Sequence, residues 1–328
     1  MLSINNLSVE FKVDSASKEK SILKAVRGVS LSIKQGETVA VVGESGAGKS
    51  QLFHALMGLL PDNGSAHGEV DFLGQSLLNQ PAKVLNKIRG KDIGMIFQDP
   101  MTALNPYMKI GRQLTEVLQV HLGTNNKEAR EAAIEMLDSV QIKDPADRFN
   151  SYPHELSGGM RQRVVIAMAL LCKPKLIIAD EPTTALDVTV QTGIIRLLRQ
   201  IHKTQNTSIV LITHDLPLVA GLCDHVVVMY AGRVVETGTL EEIFFHAKHP
   251  YTQALLAATP HNDSNQQGRM QAIPGQPPDP MHLPSGCAFN PRCSFAEDNC
   301  FKEMPEEKTL SHTHHVVCHM GNHDGSEK

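Results

Sequence analysis

Three kinds of apolar pattern run along this chain. The first is short and continuous, as in Val39-Ala-Val-Val42 and Leu176-Ile-Ile-Ala179, with similar runs near 208–213 and 225–230. Such runs suit strands buried on both faces of a parallel sheet. The second alternates apolar with polar residues, over Leu2–Phe11 and Ala25–Ile33, and predicts strands with one covered face. The polar stretch Asp14–Lys20 between them reads as an exposed hairpin or loop. The third has helical spacing. Gln51–Met57 is one such segment, with Gly58 placed to stop it. Ala129, Ala132, Ala133, Met136, Leu137 and Val140 form another stripe, with Lys and Glu opposite. Arg161–Cys172 reads as a mostly apolar helix with Ser157 as its N-cap. Strands alternating with helices predict an α/β fold. The pattern ends in a proline-dense region: eight of the chain's 18 prolines fall between Pro260 and Pro305, which predicts an extended, turn-rich appendage.

At 328 residues the chain is long enough for about two domains. It is 41% apolar and 20% charged, as soluble globular proteins are. A net charge of −4 argues against a general nucleic-acid binder. No apolar run approaches the roughly 18–20 residues of a membrane span, and Met-Leu-Ser-Ile-Asn-Asn is no signal peptide. If this chain drives transport, separate membrane subunits must form the pathway.

Candidate chemistry begins where the strand at 39–42 meets the helix at 51–57. The residues between them, Gly43-Glu44-Ser45-Gly46-Ala47-Gly48-Lys49-Ser50, are a full match to the phosphate-loop pattern, and the expected nucleotide-binding segment runs on to Gln51. Glycines let the backbone curl around phosphate with its N–H groups turned inward, and the helix N-terminus adds partial positive charge. Lys49 is suited to the β- and γ-phosphates and Ser50 to Mg²⁺. A second acidic element closes the run Leu176-Ile-Ile-Ala-Asp180-Glu181-Pro182. Carboxylates at the carboxyl end of a buried strand sit where ligands of open α/β sheets bind. Asp180 is suited to hold Mg²⁺ through water, and Glu181 to act as general base on the attacking water.

Leu156-Ser157-Gly158-Gly159-Met160, followed by Gln162-Arg163, resembles the signature motif of ABC-type ATPases. The family's motif usually ends in Gln, where this chain has Met160. The resemblance implies a RecA-like core, an antiparallel β subdomain and a helical subdomain. It implies that Ser157, Gly158 and Gly159 close over the γ-phosphate held by an opposite subunit. By the same resemblance Gln98 is the Q-loop glutamine, touching Mg²⁺ and the attacking water. Asp187, in Ala185-Leu-Asp187, belongs to the D-loop at a dimer interface, and His214 is the switch histidine that contacts the γ-phosphate. Adenine is expected to stack on an aromatic near the N-terminus, with Phe11 the best candidate.

The proline-dense region carries Cys287, Cys293, Cys300 and Cys318, spaced C-x5-C-x6-C-x17-C. Clustered thiols in a cytosolic chain point to metal before disulfides. Four thiolates suit a [4Fe–4S] cluster or tetrahedral zinc, and the absence of a C-x2-C pair weakens zinc. Cys172 and Cys223 lie in apolar segments and read as inert core thiols; His312, His314, His315 and His319 read as a solvated tail without metal. Gly286-Cys-Ala-Phe-Asn-Pro-Arg-Cys293, with His249-Pro-Tyr-Thr252, resembles the C-terminal extension of ATP-binding subunits of bacterial peptide importers. In that family the four-cysteine appendage can hold a [4Fe–4S] cluster.

The resemblance therefore implies an ATP hydrolase, peripheral on the cytoplasmic face of the inner membrane, that powers import of dipeptides or oligopeptides. Its partners would be a second ATP-binding subunit, two transmembrane permease subunits and, indirectly, an extracytoplasmic peptide-binding protein. Related importers also handle nickel chelates and other small solutes, so the substrate stays open. The expected division is 1–95 for the β subdomain and first part of the core, 96–155 for the Q-loop and helical subdomain, 156–245 for the signature helix and the rest of the core, and 246–328 for the extension. Two other classes compete with this one: a cytosolic ABC-type ATPase acting on a soluble scaffold such as an iron–sulfur assembly complex, and a non-catalytic redox sensor. The first is opposed by the extension, the second by intact Lys49, Asp180, Glu181 and His214.

Overall fold

Valine, isoleucine and leucine runs become strands with no exposed face. Thr38–Val42, Leu176–Asp180 and Ser208–Thr213 are buried at every position. The computed structural model describes residues 1–14, 20–184, 186–259 and 272–320. Residues 15–19 of the expected hairpin or loop, and Ala185 of the D-loop, lie outside the described residues. The chain folds as two compact units, each assembled from separate stretches.

The first unit takes in Met1–Ile33, Val39–Asn79 and Thr213–Lys328. Its antiparallel sheet is built on the alternating segments: Leu2–Asp14 lies between Lys20–Ile33 and Gly64–Phe72, and Gln75–Ser76 closes the edge. The inward positions Leu2, Ile4, Leu7 and Val9 are at most 1% exposed, as the period of two requires. A second sheet carries the nucleotide elements. Thr38–Val42 pairs in parallel with His225–Tyr230, which turns back antiparallel through Arg233–Thr239.

The C-terminal extension is joined to this sheet. His315–Val317 adds to Arg233–Thr239, and Glu307–Thr309 adds to His315–Val317. The expected solvated histidine tail is therefore corrected at His314. Its ring is buried, with Nε2 2.8 Å from Glu236 Oε1, because the tail forms an edge strand over a buried carboxylate. Glu236 also accepts the backbone N–H groups of Lys248 (2.6 Å) and His249 (3.1 Å). Glu242 pins the same hairpin through hydroxyls donated by Ser311 and Thr313. The extension thus shares a core with the sheet, where Phe289 and Val316 are at most 2% exposed.

The second unit takes in Lys34–Thr38 and Gln80–Ile212. Ile93–Ile96, Leu176–Asp180 and Ser208–Thr213 run parallel in that order. Helices Ile110–Leu122, Asn126–Ser139 and Gly158–Leu170 pack on one another. The predicted stripe is the packed one: Ala129, Ala133 and Leu137 are 0% exposed. Gly111 permits this packing, since a Cβ there would meet the Phe149 ring at 2.2 Å. Cys223 is buried as expected, but Cys172, two residues past the helix end at Leu170, is only half-buried.

Candidate nucleotide site and cysteine cavity

The phosphate loop leaves the buried strand at Val42 and enters the helix Lys49–Leu56 through Gly48. Two of its glycines are there of necessity. Gly48 has φ +91, and a Cβ would lie 2.3 Å from the Ala25 carbonyl oxygen; at Gly43 a Cβ would lie 2.2 Å from that of Met229. Lys49 is 5% exposed and folds back, donating to the carbonyls of Gly43 (2.7 Å) and Glu44 (3.0 Å). Those carbonyls hold the ammonium over the loop. Beside the loop opens a cavity of about 420 Å³. Phe11, Leu23 and Arg27 line it on one side, Glu44–Gly48 and Gln51 form its floor, and Pro277, Pro278 and Pro280 supply another wall. The aromatic expected to stack on adenine thus faces the same space as the phosphate loop. His214 stands exposed just past the strand Ser208–Thr213, in a turn where the Asp215 N–H donates to the Thr213 hydroxyl at 2.9 Å.

The second unit carries the acidic and signature elements. Asp180 is 4% exposed at the carboxyl end of its strand. Glu181 turns out of that strand with φ +45, and its N–H donates to the Ile212 carbonyl. Its Oε2 accepts from Gln98 Nε2 at 3.0 Å and from the Thr184 hydroxyl at 2.9 Å. Residues 83 apart in sequence, read separately as Q-loop glutamine and general base, are brought together. Ser157 caps the helix Gly158–Leu170, its Oγ accepting the Met160 N–H at 3.3 Å. Ser157 and Gly158 are exposed, so this helix N-terminus lies open at the surface. Asp187 caps the helix Val188–Gln205, accepting the Val190 N–H at 2.9 Å.

Several functional positions escaped the sequence. Thr184 orients Glu181, and Gln191 donates to the carbonyls of Thr183 and Leu186, fixing the turn between Glu181 and Asp187. Arg292 and Tyr251 reach the phosphate loop at Glu44. Arg292 and Tyr251 reach Glu44 across 248 and 207 residues, which no local pattern encodes, whereas Thr184 and Gln191 act within eight residues, in a turn that no periodic signal marks.

Cys287, Cys293, Cys300 and Cys318 line one small cavity with His249, Phe289 and Phe295. All four are free thiols. Gly286 makes the fold of this loop possible: at φ +71 a Cβ would lie 2.2 Å from the Cys300 carbonyl oxygen. Burial pushes the Cys287 thiol up to about 11, and the three neighbouring thiols add to the effect. Burial also raises Cys293 and Cys318. Against this, each of these three sulfurs accepts a backbone N–H two residues on, from Phe289, Phe295 and Met320. Buried sulfurs supplied with N–H donors and crowded by one another suit a cation that would take up their charge. Among the described residues, no three His, Cys, Asp or Glu side chains are grouped as ligands of a single metal ion.

Comparison with known proteins places this geometry. The ABC transporter family pattern matches residues 26–184, and the oligopeptide/dipeptide transporter C-terminal region matches residues 235–300. The oligopeptide transport ATP-binding protein OppD of Haemophilus influenzae is 52% identical over 312 residues, covering 95% of this chain and 94% of that protein. The dipeptide transport ATP-binding protein DppD of Escherichia coli is 48% identical over 320 residues, covering 97% and 96%. Among solved structures, the dimeric post-hydrolysis state of the ATP-binding cassette MJ0796, bound to ADP and Pi, superposes with a TM-score of 0.65 at 29% identity. That match covers 73% of this chain and 99% of the other.

Proposed function

This chain belongs to the ABC transporter ATPase family, and on that premise we propose that it is the ATP-hydrolysing subunit of a peptide importer. The observation that carries this reading is that one chain matches both the ABC transporter family pattern and the oligopeptide/dipeptide transporter C-terminal region. The relatives named for oligopeptide and dipeptide transport span nearly all of it. Among the described residues no helix is long and apolar enough to cross a membrane. The chain accordingly works as a peripheral subunit on the cytoplasmic face, with two permeases forming the path and a binding protein delivering peptide. The reading with a soluble iron–sulfur scaffold finds no support among these relatives.

The residues divide the work as follows. Backbone N–H groups of Gly43–Ser50 and the Lys49 ammonium hold the β- and γ-phosphates, and Phe11 stacks on adenine. Ser50, Gln98 and Asp180 would hold Mg²⁺ or its waters, and the ion would neutralise charge developing on the transferred phosphoryl. Glu181 takes the proton of the attacking water, with Gln98 and Thr184 orienting its carboxylate. His214 reads the γ-phosphate. Ser157, Gly158 and Gly159 grip the nucleotide bound to a second cassette, and Asp187 stands at that seam. ATP contacts made only in the closed pair drive closure, and hydrolysis removes them. In this scheme 1–95 and 156–245 supply the ATPase core, 96–155 the permease-facing helical part and 246–328 the importer-type extension.

The four cysteines are assigned to a [4Fe–4S] cluster. Tetrahedral zinc at about 2.3 Å from each sulfur would draw the thiolates to within about 4 Å of one another. The four sulfurs share one small cavity, and the absence of a C-x2-C pair is what favours the larger cubane over zinc. Its role is to staple a small, proline-rich segment.

The test is gentle extraction from membranes, identification of the attached proteins, and measurement of ATP hydrolysis with and without peptide-loaded binding protein. Co-purifying permeases and peptide-stimulated turnover are expected. A soluble scaffold as sole partner would overturn the reading. Iron analysis and a brown absorption band decide the cluster.

A further inference from the structure

Glu44 is an odd residue for its place. It is an acid inside a loop built to hold a polyphosphate, and its charge opposes the ligand. The structure shows how that charge is handled. Arg292 donates from its two terminal nitrogens to the two carboxylate oxygens of Glu44, at 2.7 and 2.9 Å. This parallel, bidentate pairing is the strongest form of the contact. The Arg292 side chain is 4% exposed and that of Glu44 24%, so the pair sits largely out of water.

Arg292 is itself locked in place. Its Nε donates to the Pro274 carbonyl at 2.8 Å, and NH1 also donates to the Tyr230 hydroxyl at 3.2 Å. The guanidinium lies 5.8 Å from the Phe289 ring centroid. A second contact reaches the same loop residue: the Glu44 N–H donates to the Tyr251 hydroxyl at 2.8 Å. With Lys49 on its carbonyl, Glu44 is held at side chain, N–H and C=O together. Two of these three restraints come from the C-terminal extension. The segment beyond Pro274 runs on to the prolines that wall the nucleotide cavity.

We propose that Arg292, in the cysteine-bearing extension, is a positioning residue for ATP, neutralising Glu44 and fixing the phosphate loop in its binding shape. The extension is then a working part of the nucleotide site, and a chain cut before it would hold the same loop with an uncompensated negative charge. Arg292 touches neither substrate nor reacting atoms and acts through Glu44. The inference rests on the ATPase reading above.

The experiment uses the assembled transporter and ATP, comparing the parent with Arg292→Gln, Arg292→Lys, Glu44→Gln and the Glu44→Gln/Arg292→Gln double variant, alongside Lys49→Ala. Arg292→Gln should raise KM for ATP about tenfold, equivalent to ~1.4 kcal/mol, with kcat changed less than about twofold. Arg292→Lys should recover only part, since one ammonium cannot make two parallel bonds. The double variant should return KM to within about twofold of Glu44→Gln alone, because removing the acid removes the need for its partner. Iron content measured in each variant separates loop positioning from loss of the staple. An unchanged KM in Arg292→Gln, or a double variant no better than Arg292→Gln, overturns the proposal. Should Arg292→Gln not fold, Arg292→Lys decides alone: a KM for ATP raised about twofold or more supports the proposal, and a smaller change overturns it. Equal turnover in the parent and Lys49→Ala would instead sink the ATPase reading.

Discussion

Changing Glu181 to glutamine replaces one carboxylate oxygen by an amide nitrogen and leaves the shape of the side chain intact. The structure supplies both sides of the expected balance. The acid receives two neutral hydrogen bonds on Oε2, from Gln98 at 3.0 Å and Thr184 at 2.9 Å. An amide oxygen keeps two acceptor sites, so both bonds survive, and each is worth about 1 kcal/mol net. The left-handed backbone at φ +45 is the same in both forms, as is the N–H bond to Ile212. Stability should therefore change by less than about 1 kcal/mol. The amide cannot accept a proton, and loss of a positioned base costs about 10²–10⁴ in rate, or roughly 3–5.5 kcal/mol of barrier. The assay is ATP hydrolysis by the assembled transporter, paired with gel filtration in ATP. The variant should hydrolyse at least about a hundredfold more slowly and remain as a closed pair with uncleaved ATP. A turnover rate within about threefold of the parent would show that Glu181 is not the base.

Other outcomes follow from the same geometry. Burial holds His249 down at about 3, so it stays neutral in the fold, where Nδ1 accepts the Tyr251 N–H at 3.0 Å. The unfolded chain takes up that proton near pH 6.5, so stability should fall by about 1.4 kcal/mol per pH unit below that and level off near pH 3. His249→Asn keeps a capping acceptor without the titration, and urea midpoints of the two proteins should diverge between pH 7 and 5; parallel curves would contradict this. Ser157→Ala removes the acceptor of the Met160 N–H and should cost the signature helix about 1 kcal/mol. Amide exchange over its first turn should rise about fivefold, and unchanged exchange would show the cap is idle. Gly48→Ala forces a Cβ to 2.3 Å from the Ala25 carbonyl at φ +91 and should lower stability by at least about 1–3 kcal/mol, with ATP binding lost; a thermal melt and a nucleotide titration check it.

The two sheets and the helical packing were legible because their signals are periodic. A continuous run such as Leu176–Ala179 has one low-energy destination, between two covering layers, and it is buried at every position. The phosphate-loop motif was legible because it is local: three glycines, a lysine and a serine fall within eight residues, between a buried strand and a helix. Gln98 and Glu181 were readable as types, though only the fold brings Nε2 to within 3.0 Å of Oε2. The histidine tail departs from the expected solvated state for a physical reason. Proline density announces turns, but it does not announce a host. Residues 307–317 borrow a sheet edge, and His314 borrows the carboxylate of Glu236, so the burial of each depends on a partner strand some 80 residues earlier.

Arg292 marks the far end of that gradient. In sequence it is one arginine between a proline and a cysteine, 248 positions from the residue it pairs with. A helical or strand period cannot encode such a contact, and the motif around it points to metal. What makes it meaningful is a sum of charges. A loop that must bind phosphate carries an acid, the acid must be cancelled, and the cancelling group comes from the part of the chain that looked most separable. On this view the extension and the Gly43–Ser50 loop are one construction: the Pro274 carbonyl and the Tyr230 hydroxyl hold Arg292, Arg292 pairs with the Glu44 carboxylate, and Lys49 holds the Glu44 carbonyl.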